Sequence, residues 1–465
     1  MNRTQPVVLQ QAGTVSERVT TIMNEAAAVR EADLHHLWHP WSPLDAGQER
    51  LVLTDGYGCQ VRDTRGRTFL DLRAGTLNAT VGYSHPDVVQ ALHEQAGRLM
   101  TWDLAEVTTP PAAWLARRIA SLLPPPLGRT LFCNSGSEAT EAALKIARMW
   151  HRIEGCAERK IVLSYADGYH GATAAAIAAT ASEFRREGSG PLPSGYAHLV
   201  TPRCSACASA VGHAACQVPG TAEWEEQILT VGPENIAAVL VEPVLSVGGV
   251  IVPPPGRLRD LRALCDRYGM LLIVDEVATG FGRTGKLFGF EHDLDGQAAP
   301  DIVTTSKGLT GGYAPLAAVT VREDIYSGFA RDPLLGGLRH GHTTGGHATA
   351  CAAALAVLDV IERDCLVAAA AERGTQLLTS LQALSEYAGV RGVRGRGLMI
   401  GVEMASIELA AQVARAAQDD GVLVRSFGPV LTVAPPLTIS ADEARMGAEV
   451  LTEAVRATTT AVVAS

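Results

Sequence analysis

The sequence predicts an α/β protein: a large domain with a mostly parallel sheet flanked by helices, and a smaller α+β domain beside it. Two observations predict the large domain. From about residue 130, short branched apolar runs (TLFC, KIVLSY, AAVLVEP, LLIVDE, DIVTTSK) alternate with stretches of helical pattern, as in sheets covered on both faces. The residues with chemical character then fall where those runs stop, which is where such sheets bind ligands. The smaller domain is predicted by the alanine-rich helix that follows HGHTTGGHATA at 340–350 and by the helix, strand, helix pattern running from there to residue 465.

In chain order, residues 1 to about 30 read as an amphipathic helix after a loose polar start. LHHLWHPWSPL, broken by Pro40 and Pro43, reads as an irregular packed connection. Its His35, His36 and His39, beside Trp38 and Trp41, are not expected to bind metal. Residues 50–72 alternate between DG, YG and RG turn signals and predict a small antiparallel meander. Helices are expected after Pro86, with Asp87 in the first turn, and over PPAAWLARRIASLL. GVLVRSFGPVLTVAPPL carries a buried-strand pattern around one cation, Arg425. The expected organisation is an N-terminal segment, 1–80, contributing to the small domain, a large domain over 81–345, and a C-terminal small domain over 346–465.

Composition removes several function classes. With 465 residues, 47% of them hydrophobic, the chain is long enough for a large core and a smaller one. The 39 basic against 49 acidic residues give a net charge of -10, which lacks the basic footprint of a nucleic-acid or anionic-membrane partner. No apolar run has the length of a membrane span, and residues 1–30 lack the pattern of a secretory signal, so a cytoplasmic location is expected. Nine scattered cysteines imply reduced thiols. Cys204, Cys207, His213 and Cys216 approach zinc-ligand spacing, but the tight H-x2-C ending between Pro202 and Pro219 favours a reduced loop, and no metal is expected.

Two strand ends carry the chemistry. The run at 271–274 delivers Asp275, and the run at 302–303 is followed by Lys307. An acid fixed at one strand end and a lysine after a neighbouring one suit pyridoxal phosphate: the amine forms a Schiff base with the cofactor aldehyde, and the carboxylate keeps the ring nitrogen protonated. In NSGSEATEAALKIAR a small-residue turn opens directly into a helix, so free N–H groups and the positive helix end can hold a phosphate beside Gly136 and Ser137. An ordinary serine capping box would look the same locally. Neither GxxxxGK nor GxGxxG occurs there, so a nucleotide fold is not supported.

The ordered motifs NSGSEATEAALKIAR, YHG, EPV, DEVATGFGRTG, SKGLTGG and HGHTTGGH resemble those of the class III aminotransferases, fold type I pyridoxal phosphate enzymes, from about residue 35 onward. The resemblance implies that Lys307 is the Schiff-base lysine and proton shuttle and Asp275 the pyridinium partner. It also implies that Val277 and Tyr169 pack on the two faces of the ring, that His170 and Glu242 belong to the pocket, and that Gly136 and Ser137 meet the phosphate. Thr343 would reach the phosphate of a neighbouring subunit, implying a homodimer, and Arg425 would take a substrate carboxylate.

Ornithine-, acetylornithine- and 4-aminobutyrate-type members place a second glutamate after the EP; here Val247 stands there, which points to the broader amine and omega-amino-acid group. Leu77, where that group often has tryptophan, and Trp41 are the expected specificity residues. The implied activity is ping-pong transfer of an amino group from an amine or amino acid donor to an oxo acid, aldehyde or ketone. Racemase, aminomutase and decarboxylase chemistry on the same scaffold stand as alternatives.

Overall fold

The computed structural model describes residues 26–44, 50–203, 218–295 and 298–463. Its strands, in chain order, are β1 (Leu53–Tyr57), β2 (Gln60–Asp63), β3 (Thr68–Asp71), β4 (Leu127–Cys133), β5 (Ile161–Tyr165), β6 (Tyr196–Leu199), β7 (Ile236–Val241), β8 (Leu271–Asp275), β9 (Ile302–Thr305), β10 (Ala317–Arg322), β11 (Val390–Gly395), β12 (Ile400–Met404), β13 (Val422–Leu423), β14 (Arg425–Phe427) and β15 (Val430–Val433).

Seven of them form the central sheet in the order β4-β10-β9-β8-β7-β5-β6. β5, β6, β7, β8 and β9 pair in parallel, while β10 runs antiparallel to both of its neighbours. β7, β8 and β9 are buried along their whole length, which is why their sequences are continuous apolar runs without alternation.

The helix Gly136–Ile153 covers one face of this sheet. Its buried side is Ala139, Ala142, Ala143, Ile146 and Ala147, an i, i+3, i+4 stripe of small residues that lets helix and sheet approach closely. The cluster beneath includes Val162, Leu240, Ile273, Ile302 and Val319, from β5, β7, β8, β9 and β10 in turn.

The meander β1-β2-β3 forms as the turn signals predict, in a sheet of its own to which β13, from far along the chain, is added by pairing in parallel with β3. A third, antiparallel sheet has the order β11-β12-β15-β14. The strand pattern around Arg425 is therefore shared between β13, β14 and β15, with β14 and β15 folded back on each other across Gly428 at φ +54°.

The reading of the tryptophan segment as packed is corrected. The helix Ala26–His36 buries none of its residues, and Leu34, Leu37, Trp38, Trp41 and Leu44 are exposed, Trp38 by 84%. Aromatic content predicts burial against something, but among the described residues these side chains keep most of their surface uncovered, with Arg185 over the Trp41 ring at 4.8 Å. The candidate zinc cluster Cys204, Cys207, His213 and Cys216 lies outside the described residues; among those described, no group of three or more His, Cys, Asp and Glu side chains could hold a metal ion.

Candidate active site

The site is built where the parallel strands end. Asp275 is the last residue of β8 and is only 3% exposed. Its Oδ2 lies 2.8 Å from His170 Nδ1, and its Oδ1 accepts from the Val277 N–H at 3.0 Å and the Thr304 hydroxyl at 3.3 Å. A carboxylate only accepts, so Nδ1 carries the hydrogen and donates. His170 is itself fixed by its backbone: its N–H donates to Thr180 and its carbonyl accepts from Thr140. Its buried Nε2 has no hydrogen-bond partner among the described residues.

Lys307 follows β9 at the start of a short 3-10 turn, Lys307–Leu309. Part of its side chain reaches solvent, yet it lies deep enough that lost hydration lowers the amine from 10.5 to about 8, against the pull of Glu242 and Asp275 and with help from Arg425. Its amine has no hydrogen-bond or ion-pair partner among the described residues, so a partly neutral amine stands beside two buried carboxylates.

Glu242, the residue after β7, is 4% exposed. It accepts from the Tyr169 N–H at 2.9 Å and from the Ser246 N–H and hydroxyl at 3.0 and 2.8 Å; burial pushes its carboxyl up. It thus ties the loop after β5 to the loop after β7 and holds Tyr169 in place.

At the end of β4, Ser135 and not Ser137 caps the helix: its hydroxyl accepts from the Glu138 N–H, and Glu138 returns to the Asn134 N–H at 2.7 Å. The capping box and the anion site are therefore compatible, because Gly136 and Ser137 occupy the first two helical positions, whose N–H groups have no intrahelical acceptor. A Cβ on Gly136 would come within 2.8 Å of Val277 Cγ1, so the turn and Val277 form one close-walled cradle. The Ser137 hydroxyl accepts from the Ala172 N–H at 3.1 Å, joining this turn to the YHG loop.

The remaining expected residues are spread around this centre. Leu77, at φ +61°, is 8% exposed and packs in a cluster with Val244, Val250, Val252, Ala278, Met399 and Ala434; it is a wall held by packing in a backbone conformation unfavourable for leucine. Val247 sits in the loop after β7, half-buried. Trp41 is 56% exposed. Thr343 is exposed in a loop whose next residue, Thr344, donates to Asn134 Oδ1 at 2.8 Å, so the loop adjoins the β4 turn of its own chain. Arg425, half-buried on β14, lies 4.8 Å above the Phe427 ring.

Sequence reading alone passed over three groups. Glu276, beside Asp275, is fully buried and accepts from the Gly289 and Phe290 N–H groups and the Thr279 hydroxyl; burial raises it to about 7, and its role is to hold the DEVATG loop. Glu141 accepts from the Ala175 N–H at 2.7 Å and anchors the helix Ala174–Ala179 behind the YHG loop. Arg185 enters the cleft from a four-residue helical turn, and nothing local marks it.

Pyridoxal phosphate suits these residues. A low-pKa lysine amine for an aldehyde, a buried carboxylate oriented by a histidine for a ring nitrogen, and a helix start with a cradle that a methyl group would fill for a phosphate all open onto one set of strand ends.

Comparison with known proteins agrees. The model of the aminotransferase class-III family matches residues 44–455. An adenosylmethionine-8-amino-7-oxononanoate aminotransferase from Nitratidesulfovibrio vulgaris is 34% identical over 442 residues, 90% of this chain and 80% of that protein. An acetylornithine aminotransferase from Methanopyrus kandleri is 37% identical over 408 residues, 88% of this chain and 95% of that one. Among solved structures, an (S)-enantioselective omega-transaminase from Thermomicrobium roseum aligns with a TM-score of 0.85 at 36% identity, covering 94% of this chain and 99% of the other. The chain belongs to the class III aminotransferases, fold type I enzymes that use pyridoxal phosphate to move an amino group from one small molecule to another.

Proposed function

We propose that Lys307, Asp275 and their neighbours carry a ping-pong transfer in which an amine or omega-amino acid gives its nitrogen to the bound cofactor and an oxo acid or aldehyde then takes it away. When bound, pyridoxal phosphate supplies an electron sink for the carbon that loses its proton. Lys307 holds the cofactor and, once freed, moves that proton as a general base whose lowered pKa suits neutral pH. Asp275, aimed by His170, would hold the ring nitrogen, and Val277 and Tyr169 would pack on the ring. Glu242 fixes Tyr169 through its N–H. Gly136 and Ser137 would hold the phosphate and Arg425 a substrate carboxylate, with Leu77 and Trp41 shaping the pocket.

The observation that carries this reading is the Lys307 amine, unpaired and partly neutral at physiological pH, facing two buried carboxylates. The family membership favours transfer over racemase, aminomutase or decarboxylase chemistry. The acetylornithine aminotransferase shares a substantial part of the sequence, but Val247, in place of the second glutamate after EP, supports the amine and omega-amino-acid side of the family.

We also take the working unit to be a homodimer with Thr343 reaching the neighbouring site, supported by Thr343's exposure and by the uncovered Leu34, Leu37, Trp38 and Leu44. The pairing of β13 with β3 supports grouping residues 1–80 with 346–465 around the large domain at 81–345. A cytoplasmic site of action fits the absence, among the described residues, of any disulfide or of a helix long and apolar enough to cross a membrane.

The test is a half-reaction. Amino donor added alone to the loaded enzyme abolishes the absorbance of the lysine-bound cofactor, and an oxo acid restores it; Lys307→Ala lacks that band from the start. Persistence of the band in Lys307→Ala, or formation of product with no acceptor and no change in the cofactor, overturns the reading.

A further inference from the structure

Arg185 lies in the turn Glu183–Arg186, between β5 and β6. Its guanidinium carbon is 4.8 Å from the ring centroid of Trp41, 5.0 Å from that of Tyr169 and 4.5 Å from that of Phe427. Three rings from separate parts of the chain thus frame one cation, and Phe427 is shared with Arg425 at 4.8 Å. Neither Arg185 nor Arg425 has a carboxylate partner among the described residues.

The nearby acids are committed elsewhere: Glu242 to Tyr169 and Ser246, Asp275 to His170. Arg73 adds a third cation, its Nε donating only to the Gly75 carbonyl at 2.8 Å. The charges of Arg73 and Arg185 both oppose that of Arg425. In a chain of net charge -10, like charges are gathered here, Arg185 and Arg425 against aromatic faces and Arg73 on a backbone carbonyl. Such an arrangement is costly until an anion enters, and its fields then favour the anion.

The two cations share the Phe427 ring, and Arg185 also lies against Trp41, which is 56% exposed, so Arg185 has a solvent-facing neighbour.

We propose that Arg185 is a second anion-binding residue of the substrate pocket, taking the distal carboxylate of a diacid whose near carboxylate is held by Arg425. The inference rests on the reading of Arg425 and Lys307 given above and narrows it: the preferred oxo-acid acceptor is a short-chain diacid. Arg185 is not part of the proton transfer. It selects and orients, and its planar fork suits a carboxylate in a way an ammonium does not.

The test compares wild type, Arg185→Gln and Arg185→Lys as loaded enzymes, with pyruvate and 2-oxoglutarate as acceptors and with the unreactive acids butyrate and glutarate as binding probes. Wild type favours 2-oxoglutarate in kcat/KM. In Arg185→Gln the diacid-to-monoacid ratio falls about tenfold to a hundredfold, with Arg185→Lys between, and glutarate loses its thermal-shift advantage over butyrate. An unchanged ratio in Arg185→Gln, or glutarate binding as tightly as in wild type, overturns the assignment. If wild type transfers nitrogen to neither acceptor, the transaminase reading has failed, and the glutarate comparison still decides Arg185 by itself.

Discussion

The free amine of Lys307 can be tested by removing it. The fold lowers this lysine from 10.5 to about 8, which means that the charged form is disfavoured in the folded state. At roughly 1.4 kcal/mol per pKa unit the cost is about 3 kcal/mol at pH 7, where both folded and unfolded chains are largely protonated. Between pH 8 and 10.5 the folded chain sheds its proton first, so the cost shrinks, to under about 1 kcal/mol at pH 10, and it vanishes above 10.5. Lys307→Met keeps the volume and removes the charge. In cofactor-free protein, followed by urea denaturation, this variant should therefore be more stable than wild type by up to about 3 kcal/mol at pH 7, with most of the gain gone at pH 10. The same shift leaves roughly one Lys307 amine in ten neutral at pH 7, against about one in three thousand for an ordinary lysine, which is the reactivity the site gains from that instability. A Lys307→Met protein that is no more stable at pH 7, or whose gain is undiminished at pH 10, would refute the argument that burial sets this amine.

Three further outcomes follow from particular contacts. His170→Phe strips Asp275 of its 2.8 Å donor in a buried setting, and a lost buried partner of about 1–3 kcal/mol should weaken cofactor retention roughly tenfold to a hundredfold in equilibrium dialysis while the circular dichroism spectrum is kept. Gly136→Ala puts a methyl group 2.8 Å from Val277 Cγ1 and should displace Val277 toward the ring space, costing about 1–3 kcal/mol in cofactor binding, measured by titration of cofactor-free protein. Gly374→Ala, in the helix Leu366–Gln382, brings a methyl group within 2.3 Å of the Gly397 backbone, which cannot move aside as a side chain can; a fall of several degrees in melting temperature is expected, and an unchanged value would mean that helix and loop are not in close contact.

What the sequence disclosed, and what it did not, divides along one physical line. Asp275, Glu242 and Lys307 are legible because each lies within a few residues of an apolar run whose burial on both faces fixes the direction of the strand; a polar residue at that boundary is placed by local pattern alone. The helix start at Gly136 is legible for the same reason, though the identity of the cap, Ser135, depends on a geometry that two serines two positions apart could equally supply. By contrast, the His170–Asp275 pair spans 105 positions, and the β3–β13 pairing joins the two ends of the chain. No periodicity links such partners.

Arg185 is the extreme case, since its turn is too short to have a face and its meaning comes from rings contributed by residues 41, 169 and 427. Trp38 failed in the opposite direction: its apolar surface is encoded locally, but among the described residues none buries it. Chemistry common to the family is thus written at strand ends, where local pattern suffices. The groups that would choose a substrate are written in contacts between distant segments, which explains why the sequence identifies the reaction class and stops short of the substrate.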